Sequence, residues 1–356
     1  MFLRFFTYIL VALPFALLGQ SEPKPSCNQK NNTNVVKQIY RGIGFGLKEA
    51  AHGTRKGLRE AARGTRKGLR EAARGTGKGL NEAARGTETG FESATASIVK
   101  SAYDESKMFY NPSAEFIDMG ELNYVEKGIS VDENITIYTY YFKAGAPKAN
   151  IFLLHGNGGN VSTYKETIAN LVSGNYNVYI VDWRGYGKSS GVPGYKEILA
   201  DTEMAFDDFM LQIRSDSLKV IVYGMSLGGQ VATKLACDKQ QYIDALILDG
   251  SLCSAMNLAM DYIPIKFIRE DMKKRTDLFN YDYIAENDIR AIENIPKLII
   301  HSKTDNIVPF YHGKRLYENA LEPRFFWETN TKHIGTLEEL PEETINKIDE
   351  LLLFTQ

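Results

Sequence analysis

Cysteine and histidine are scarce in this chain, and that scarcity excludes several chemistries. Three cysteines, Cys27, Cys237 and Cys253, stand among 356 residues. They are too few for a disulfide scaffold and lack metal-ligand spacing, so Cys237 and Cys253 read as small hydrophobes in a core. No phosphate loop occurs, and the glycines near Gly156 lack the G-x-G-x-x-G spacing of a dinucleotide site. Neither a metal nor a cofactor is therefore expected. A long apolar run is also missing. The best one, Phe5 to Leu18, is interrupted by Pro14 and is too short to span a bilayer comfortably. The formal net charge is only −2, and no nucleic-acid partner is expected.

What is present is ordinary globular composition, 44% hydrophobic and 24% charged, enough for one large domain plus an appendage. The charge is unevenly spread. Residues 46–92 hold 11 Lys and Arg against 6 Glu, a net of +5, which leaves −7 for the rest. Residues 1–19 combine Arg4, the apolar run and Gly19, and fit a secretory signal peptide or an uncleaved N-terminal anchor. The chain is accordingly expected outside the cytoplasm, secreted, periplasmic or membrane-associated. Residues 20–45 read as a solvated linker.

Residues 46–98 form a repeat region with a period of eleven: Gly-Leu-Lys-Glu-Ala-Ala-His-Gly-Thr-Arg-Lys from Gly46, with later copies that decay. Eleven residues make three helical turns at 3.67 per turn, so equivalent positions stay in line. On that wheel Gly46, Leu47, Ala50, Ala51 and Thr54 fill one arc, and Lys48, His52, Arg55 and Lys56 fill the opposite one. In periodicity and charge pattern this is broadly similar to the eleven-residue repeats of synucleins. Two readings stand: an amphipathic helix on an anionic membrane surface, or a solvated spacer, since each repeat carries two helix-weakening glycines.

From Glu121 the pattern changes. Leu122–Val125 and Ile135–Phe142 read as an antiparallel opening pair. The apolar runs 151–154, 178–181, 220–223, 245–248, 298–300 and 325–327 read as strands buried on both faces, the mark of a parallel sheet under helices. The helices are expected over 162–172, 197–213, 227–237, 312–319 and 338–353. At the fifth of these eight strands, Val220 to Tyr223 runs into Gly224-Met225-Ser226-Leu227-Gly228 and then a helical pattern. A G-x-S-x-G turn between strand and helix pushes a serine hydroxyl out at the strand tip. It also aims the helix's first amides, Leu227 among them, at the same point.

Four motifs in this order, Leu154-His155-Gly156-Asn157-Gly158-Gly159-Asn160, Asp182 to Ser189, the Ser226 turn and His301 to Pro309, resemble the α/β-hydrolases, closest to the small-lid serine hydrolases of the BEM46 type. The resemblance covers about two-thirds of the chain, with the domain drawn at 115–356 and a lid at about 251–296. It implies an eight-stranded, mostly parallel sheet and a triad in the chain order serine, acid, histidine. Of the histidines after Ser226, His301 lies inside a strand and His312 opens a helix, which leaves His333, in the loop after the eighth strand, as the base. Asp305 follows the seventh strand and is the expected acid, with Asp249, ending the sixth, as its rival. Asp182 is expected to be structural, capping the turn at 184–187. The Asn157 and Leu227 amides are the expected oxyanion donors, and His155 is expected to pack beneath the oxyanion loop. Met256, Leu258 and Met260 give the lid segment an apolar character that suits an acyl chain. The expected function is a serine hydrolase of carboxylic esters or thioesters on small-molecule or acylated substrates. A peptidase of the same fold and an inactive membrane-binding scaffold are the alternatives.

Overall fold

The computed structural model describes residues 110–262 and 283–355. The expectations for the leader, the linker, the repeat region and the middle of the lid segment lie outside the described residues.

Strands β1 (Asn111–Pro112), β2 (Tyr124–Asp132), β3 (Ile135–Phe142) and β4 (Ala149–Leu154) come first. Next are β5 (Gly158–Gly159), a short 3-10 turn (Val161–Tyr164), α1 (Lys165–Ser173), β6 (Tyr176–Asp182) and α2 (Tyr195–Ile213). Then follow β7 (Lys219–Met225), α3 (Leu227–Asp238), β8 (Ala245–Asp249), α4 (Ala255–Asp261) and α5 (Ala285–Asp288). The chain ends with β9 (Lys297–Ser302), α6 (Tyr311–Asn319), β10 (Arg324–Thr329), α7 (Thr336–Glu339) and α8 (Pro341–Leu352). Eight strands make one sheet in the order β10-β9-β8-β7-β4-β6-β3-β2, in which only β3 runs against the others.

The continuous apolar runs are explained by the sheet having a core on each face. Phe152, Leu154, Val220, Val222, Leu246 and Leu248 enter one core with Phe206 and Phe209 of α2 and Val231 and Leu235 of α3. Their neighbours Ile151, Leu153, Ile221, Tyr223 and Ile247 enter the other with Ile168 of α1 and Ile348 of α8. Period-two alternation thus places successive apolar residues in opposite cores.

Three expectations need correction, and one pair of strands lies outside them. The opening strand is β2, longer and later than 122–125. It is an edge strand with a mostly exposed surface, so apolar alternation does not mark it. The last helix is two, because Leu340 leaves the helical region and Pro341 starts a new helix at a position where its missing N–H is harmless. Two miniature strands, β1 and β5, pair in parallel. They are too short for any periodicity to reveal. Finally, the domain begins no later than Tyr110, which is buried in the first core and precedes the expected start at 115.

Candidate active site

The parallel strands all deliver their carboxyl ends to one edge of the sheet, where functional groups gather in such folds. At the tip of β7, Ser226 has φ 53° and ψ −117°, a conformation that costs a non-glycine residue about 1–3 kcal/mol. It is held by its own amide, which donates to the Asp249 carbonyl at 2.9 Å. The flanking glycines permit the approach of α3. A Cβ on Gly224 would stand 2.5 Å from the Ala232 Cβ, and one on Gly228 would stand 2.2 Å from the Leu154 carbonyl oxygen. Leu227 is the first residue of the twelve-residue α3, so its amide has no intrahelical acceptor.

His333 lies beyond β10 and donates from Nδ1 to Asp305 Oδ2 at 2.6 Å. The other carboxylate oxygen of Asp305 accepts the amides of Ile307 and Val308, both at 2.9 Å. Burial alone would raise the Asp305 pKa. The His333 ring and the two amides outweigh burial and hold it below the ordinary carboxylate value. The His333 ring rests on Gly250, whose Cβ, if present, would lie 3.1 Å from His333 Cε1. Gly250 directly follows the residue that accepts the Ser226 amide, so the imidazole lies at the tip of β8, the strand whose end also holds the nucleophile's backbone. The Nδ1 donation leaves Nε2 of a neutral ring as the free lone pair.

The rival carboxylate is engaged elsewhere. Asp249 Oδ2 accepts from Thr336 Oγ1 at 2.6 Å and from the Tyr223 hydroxyl at 3.2 Å. Burial pushes its pKa up to about 6. The other two histidines after Ser226 are likewise spoken for. His301 donates from Nε2 to the Val308 carbonyl at 2.9 Å. His312 accepts the Cys253 amide at Nδ1, 3.1 Å away, and donates from Nε2 to Asp261 at 2.9 Å.

The loop after β4 reaches the nucleophile directly: a Cβ on Gly156 would lie 3.4 Å from the Ser226 Cβ. Its peptide groups are fixed one by one. The Gly156 amide donates to the Tyr164 hydroxyl at 3.0 Å. The Gly156 carbonyl accepts His155 Nδ1–H at 2.6 Å. The Asn157 carbonyl accepts the Asn111 amide at 3.0 Å and the Tyr186 hydroxyl at 2.8 Å. Among the described residues the Asn157 N–H donates to nothing. It belongs to the peptide plane that His155 holds by the opposite edge. His155 packs against Tyr164, Trp183 and Tyr186, and burial lowers its pKa to about 4, which keeps the ring neutral. It therefore sits under this loop as a positioning group.

Asp182 departs from expectation. Its carboxylate does not cap the 184–187 turn; Oδ1 accepts the Val161 amide at 2.7 Å, at the start of the 3-10 turn. The turn instead folds over it, and a Cβ on Gly187 would fall 2.1 Å from Oδ2. Burial pushes the Asp182 pKa up to about 7.

The described parts of the lid segment are tied to the site's rim. Asp261, closing α4, accepts from the Tyr311 hydroxyl at 2.8 Å, and Tyr262 donates to the Ile307 carbonyl at 2.5 Å. At the other end Tyr283 stacks on Tyr195 with ring centroids 3.7 Å apart. Met256 and Leu258 are half-buried against the first core. Sequence reasoning missed the roles of Asn111, Tyr164, Tyr186, Tyr223 and Thr336. Tyr186 lay inside a motif already singled out, as the residue between the two glycines of the 185–187 turn, and Tyr223 ended the strand that runs into the Ser226 turn. Among the described residues no cluster of side chains is suited to a metal ion, and no helix is long and apolar enough to cross a membrane.

Residues 145–279 match the family described as serine aminopeptidase, S33. Protein YfhR of Escherichia coli K12 is 33% identical over 179 residues, covering 49% of this chain and 59% of that one. Protein bem46 of Schizosaccharomyces pombe is 31% identical over 185 residues, 50% of this chain and 59% of that one. The lysophosphatidylserine lipase ABHD12 of Danio rerio is 30% identical over 233 residues, 61% and 59% respectively. The chain thus spans about 59% of the length of these curated relatives. Among solved structures, an esterase of Pyrococcus furiosus superposes with a TM-score of 0.54 at 21% identity, covering 69% of this chain and 97% of the esterase.

Proposed function

We propose, from the premise that this chain belongs to the α/β-hydrolase family with bem46 and ABHD12 among its relatives, that it is a serine esterase or thioesterase working through an acyl-enzyme. The observation that carries this reading is the His333–Asp305 pair at 2.6 Å, set beside a serine whose backbone is strained at the end of β7. Ser226 Oγ attacks the substrate carbonyl carbon while its proton passes to His333 Nε2. The Asp305 carboxylate stabilises the imidazolium through Nδ1–H. The oxyanion is received by the Asn157 and Leu227 amides, and losing one such donor typically slows a reaction of this kind by about 10²–10³. Collapse breaks the carbonyl carbon–leaving group bond, and His333 returns its proton to the departing alcohol or thiol. Water then attacks the acyl-enzyme with His333 again as base, releasing the acid and regenerating Ser226.

An acyl or lipid-like substrate is favoured by the half-buried Met256 and Leu258 of α4 and by the lipase name of one relative. A peptidase reading has one observation behind it, the aminopeptidase family match over residues 145–279; that span includes Ser226 but ends before Asp305 and His333. A fluorophosphonate probe separates a working hydrolase from an inactive scaffold. Labelling of Ser226 in folded protein, abolished in Ser226→Ala, is the expected result, and an unlabelled wild-type chain would sink the enzyme reading. Turnover of p-nitrophenyl esters and acyl thioesters, compared with aminoacyl amides, then decides between esterase and peptidase.

A further inference from the structure

We propose that Asn111 is a positioning residue of the oxyanion loop, and that β1 clamps this loop from outside the main sheet. The inference rests on the hydrolase reading above, in which the Asn157 N–H receives the oxyanion. It deepens that reading by naming what holds the Asn157–Gly158 peptide, which meets the donor's own peptide at the Asn157 Cα.

Between Gly156 and Gly159 the loop carries three glycines and only one residue with a side chain. Gly158 and Gly159 give the chain little rotational restraint of its own, and Gly159 sits at φ +79°. Such a segment keeps one orientation only if its peptide groups are bonded from outside. His155 and Tyr164 do this for Gly156. For the residues after it the bonds come from β1, which pairs Asn111 with Gly158 and Pro112 with Gly159. The Asn111 amide takes the Asn157 carbonyl at 3.0 Å, and the Ser113 amide takes the Gly159 carbonyl at 2.9 Å. The same short segment is then tied to two neighbours. The Ser113 carbonyl accepts the Gly187 amide at 3.0 Å and the Asn160 side-chain amide at 2.9 Å. Tyr110, just before it, is anchored in the first core. Freed from Asn111, the Asn157–Gly158 peptide would keep the Tyr186 hydroxyl alone, and one bond does not prevent rotation about its own axis.

β1 contributes a main-chain donor, so the informative substitution is one that removes an N–H. Asn111→Pro does so, and proline's fixed φ is compatible with extended backbone. Asn111→Ala removes the side chain but restores the donor. Both are made in the full chain. Kinetics on a p-nitrophenyl ester are expressed per active site, with sites counted by fluorophosphonate titration of Ser226. Asn111→Pro is expected to lower kcat per titrated site by about 10- to 100-fold, less than outright loss of an oxyanion donor. KM should stay within about twofold and the shape of the pH profile should not change, because nucleophile, base and acid are untouched. Asn111→Ala should recover kcat to within about threefold of wild type. Wild-type kcat per site in Asn111→Pro would overturn the proposal. So would a loss confined to the number of titratable sites, or an equal loss in Asn111→Ala, since either reduces β1 to a structural contact. A wild-type chain that takes no label at Ser226 would overturn the hydrolase reading itself, an outcome distinct from these.

Discussion

Asp249 closes β8 and Asp305 follows β9, one strand over, so residue type and position alone leave both as partners for His333. Their surroundings separate them. Asp305 presents one oxygen to His333 and has the other filled by two amides, an arrangement that favours the ionised carboxylate. Asp249 is fully buried, bonded to Thr336 and Tyr223, and pushed toward protonation. Asp305→Asn is therefore expected to lower kcat on a p-nitrophenyl ester by about 10⁴-fold, because an amide favours the wrong imidazole tautomer. Asp249→Asn should change kcat by less than about tenfold, and the opposite ranking would transfer the acid role to Asp249. This pairing was legible in the sequence because Asp305 lies in a motif after the seventh strand, and the strand and helix positions of His301 and His312 left His333 as the base. Tyr164, Tyr186 and Asn111 were not. They act on main-chain groups, and Asn111 acts through its own amide, which every residue but proline possesses.

Among the elements, two parallel strands finish in buried aspartates, β6 in Asp182 and β8 in Asp249. The sequence marked both strands by their apolar runs but could not show what their last side chains would meet. Burial raises both pKa values, to about 7 for Asp182 and about 6 for Asp249, although the Val161 amide and the Thr336 hydroxyl oppose it. The folded chain thus retains protons that the unfolded chain releases above about pH 4. With fewer protons bound in the unfolded state, stability must fall as pH rises. The contribution of these two groups is complete below about pH 4 and is lost as pH climbs through about 6 and 7. Asp305 has the opposite sign: its contribution is present above the ordinary carboxylate pKa and is lost as pH falls through its lowered folded value. Thermal midpoints measured from pH 5 to 7.5 should therefore decline more steeply in wild type than in Asp182→Asn, which cannot titrate there. Parallel slopes would show that Asp182 is ionised throughout. The miniature pair β1–β5 marks the lower limit of what pattern reading finds at this scale, since two residues define no period.

At the scale of the whole molecule, the hydrolase domain was readable because its sheet is buried on both faces, so its apolar runs and strand-tip motifs recur in a fixed order. The repeat region is legible only as a pattern of charge, and its role must be tested on the full chain. Residues 46–92 carry +5 while the remainder carries −7. Residues 1–45 add +4 and residues 93–356 carry −11, so the repeat is the largest basic segment available to an anionic surface. Each Lys or Arg near such a surface contributes about 1 kcal/mol. Two glycines per repeat oppose helix formation by roughly 2 kcal/mol relative to alanine, about what burial of the one leucine returns. Charge then decides the outcome, and charge is screened by salt, with a Debye length of about 10 Å at 0.1 M. We infer that the full chain floats with anionic vesicles at low salt, is released as salt rises, and ignores zwitterionic vesicles at every salt. Replacing the Lys and Arg of residues 46–92 with Gln should abolish flotation, while turnover of soluble esters stays at wild-type level because β1 and everything after it are retained. Flotation that survives those replacements would assign the attachment to residues 1–45, and no flotation of the wild-type chain would make the repeat a spacer.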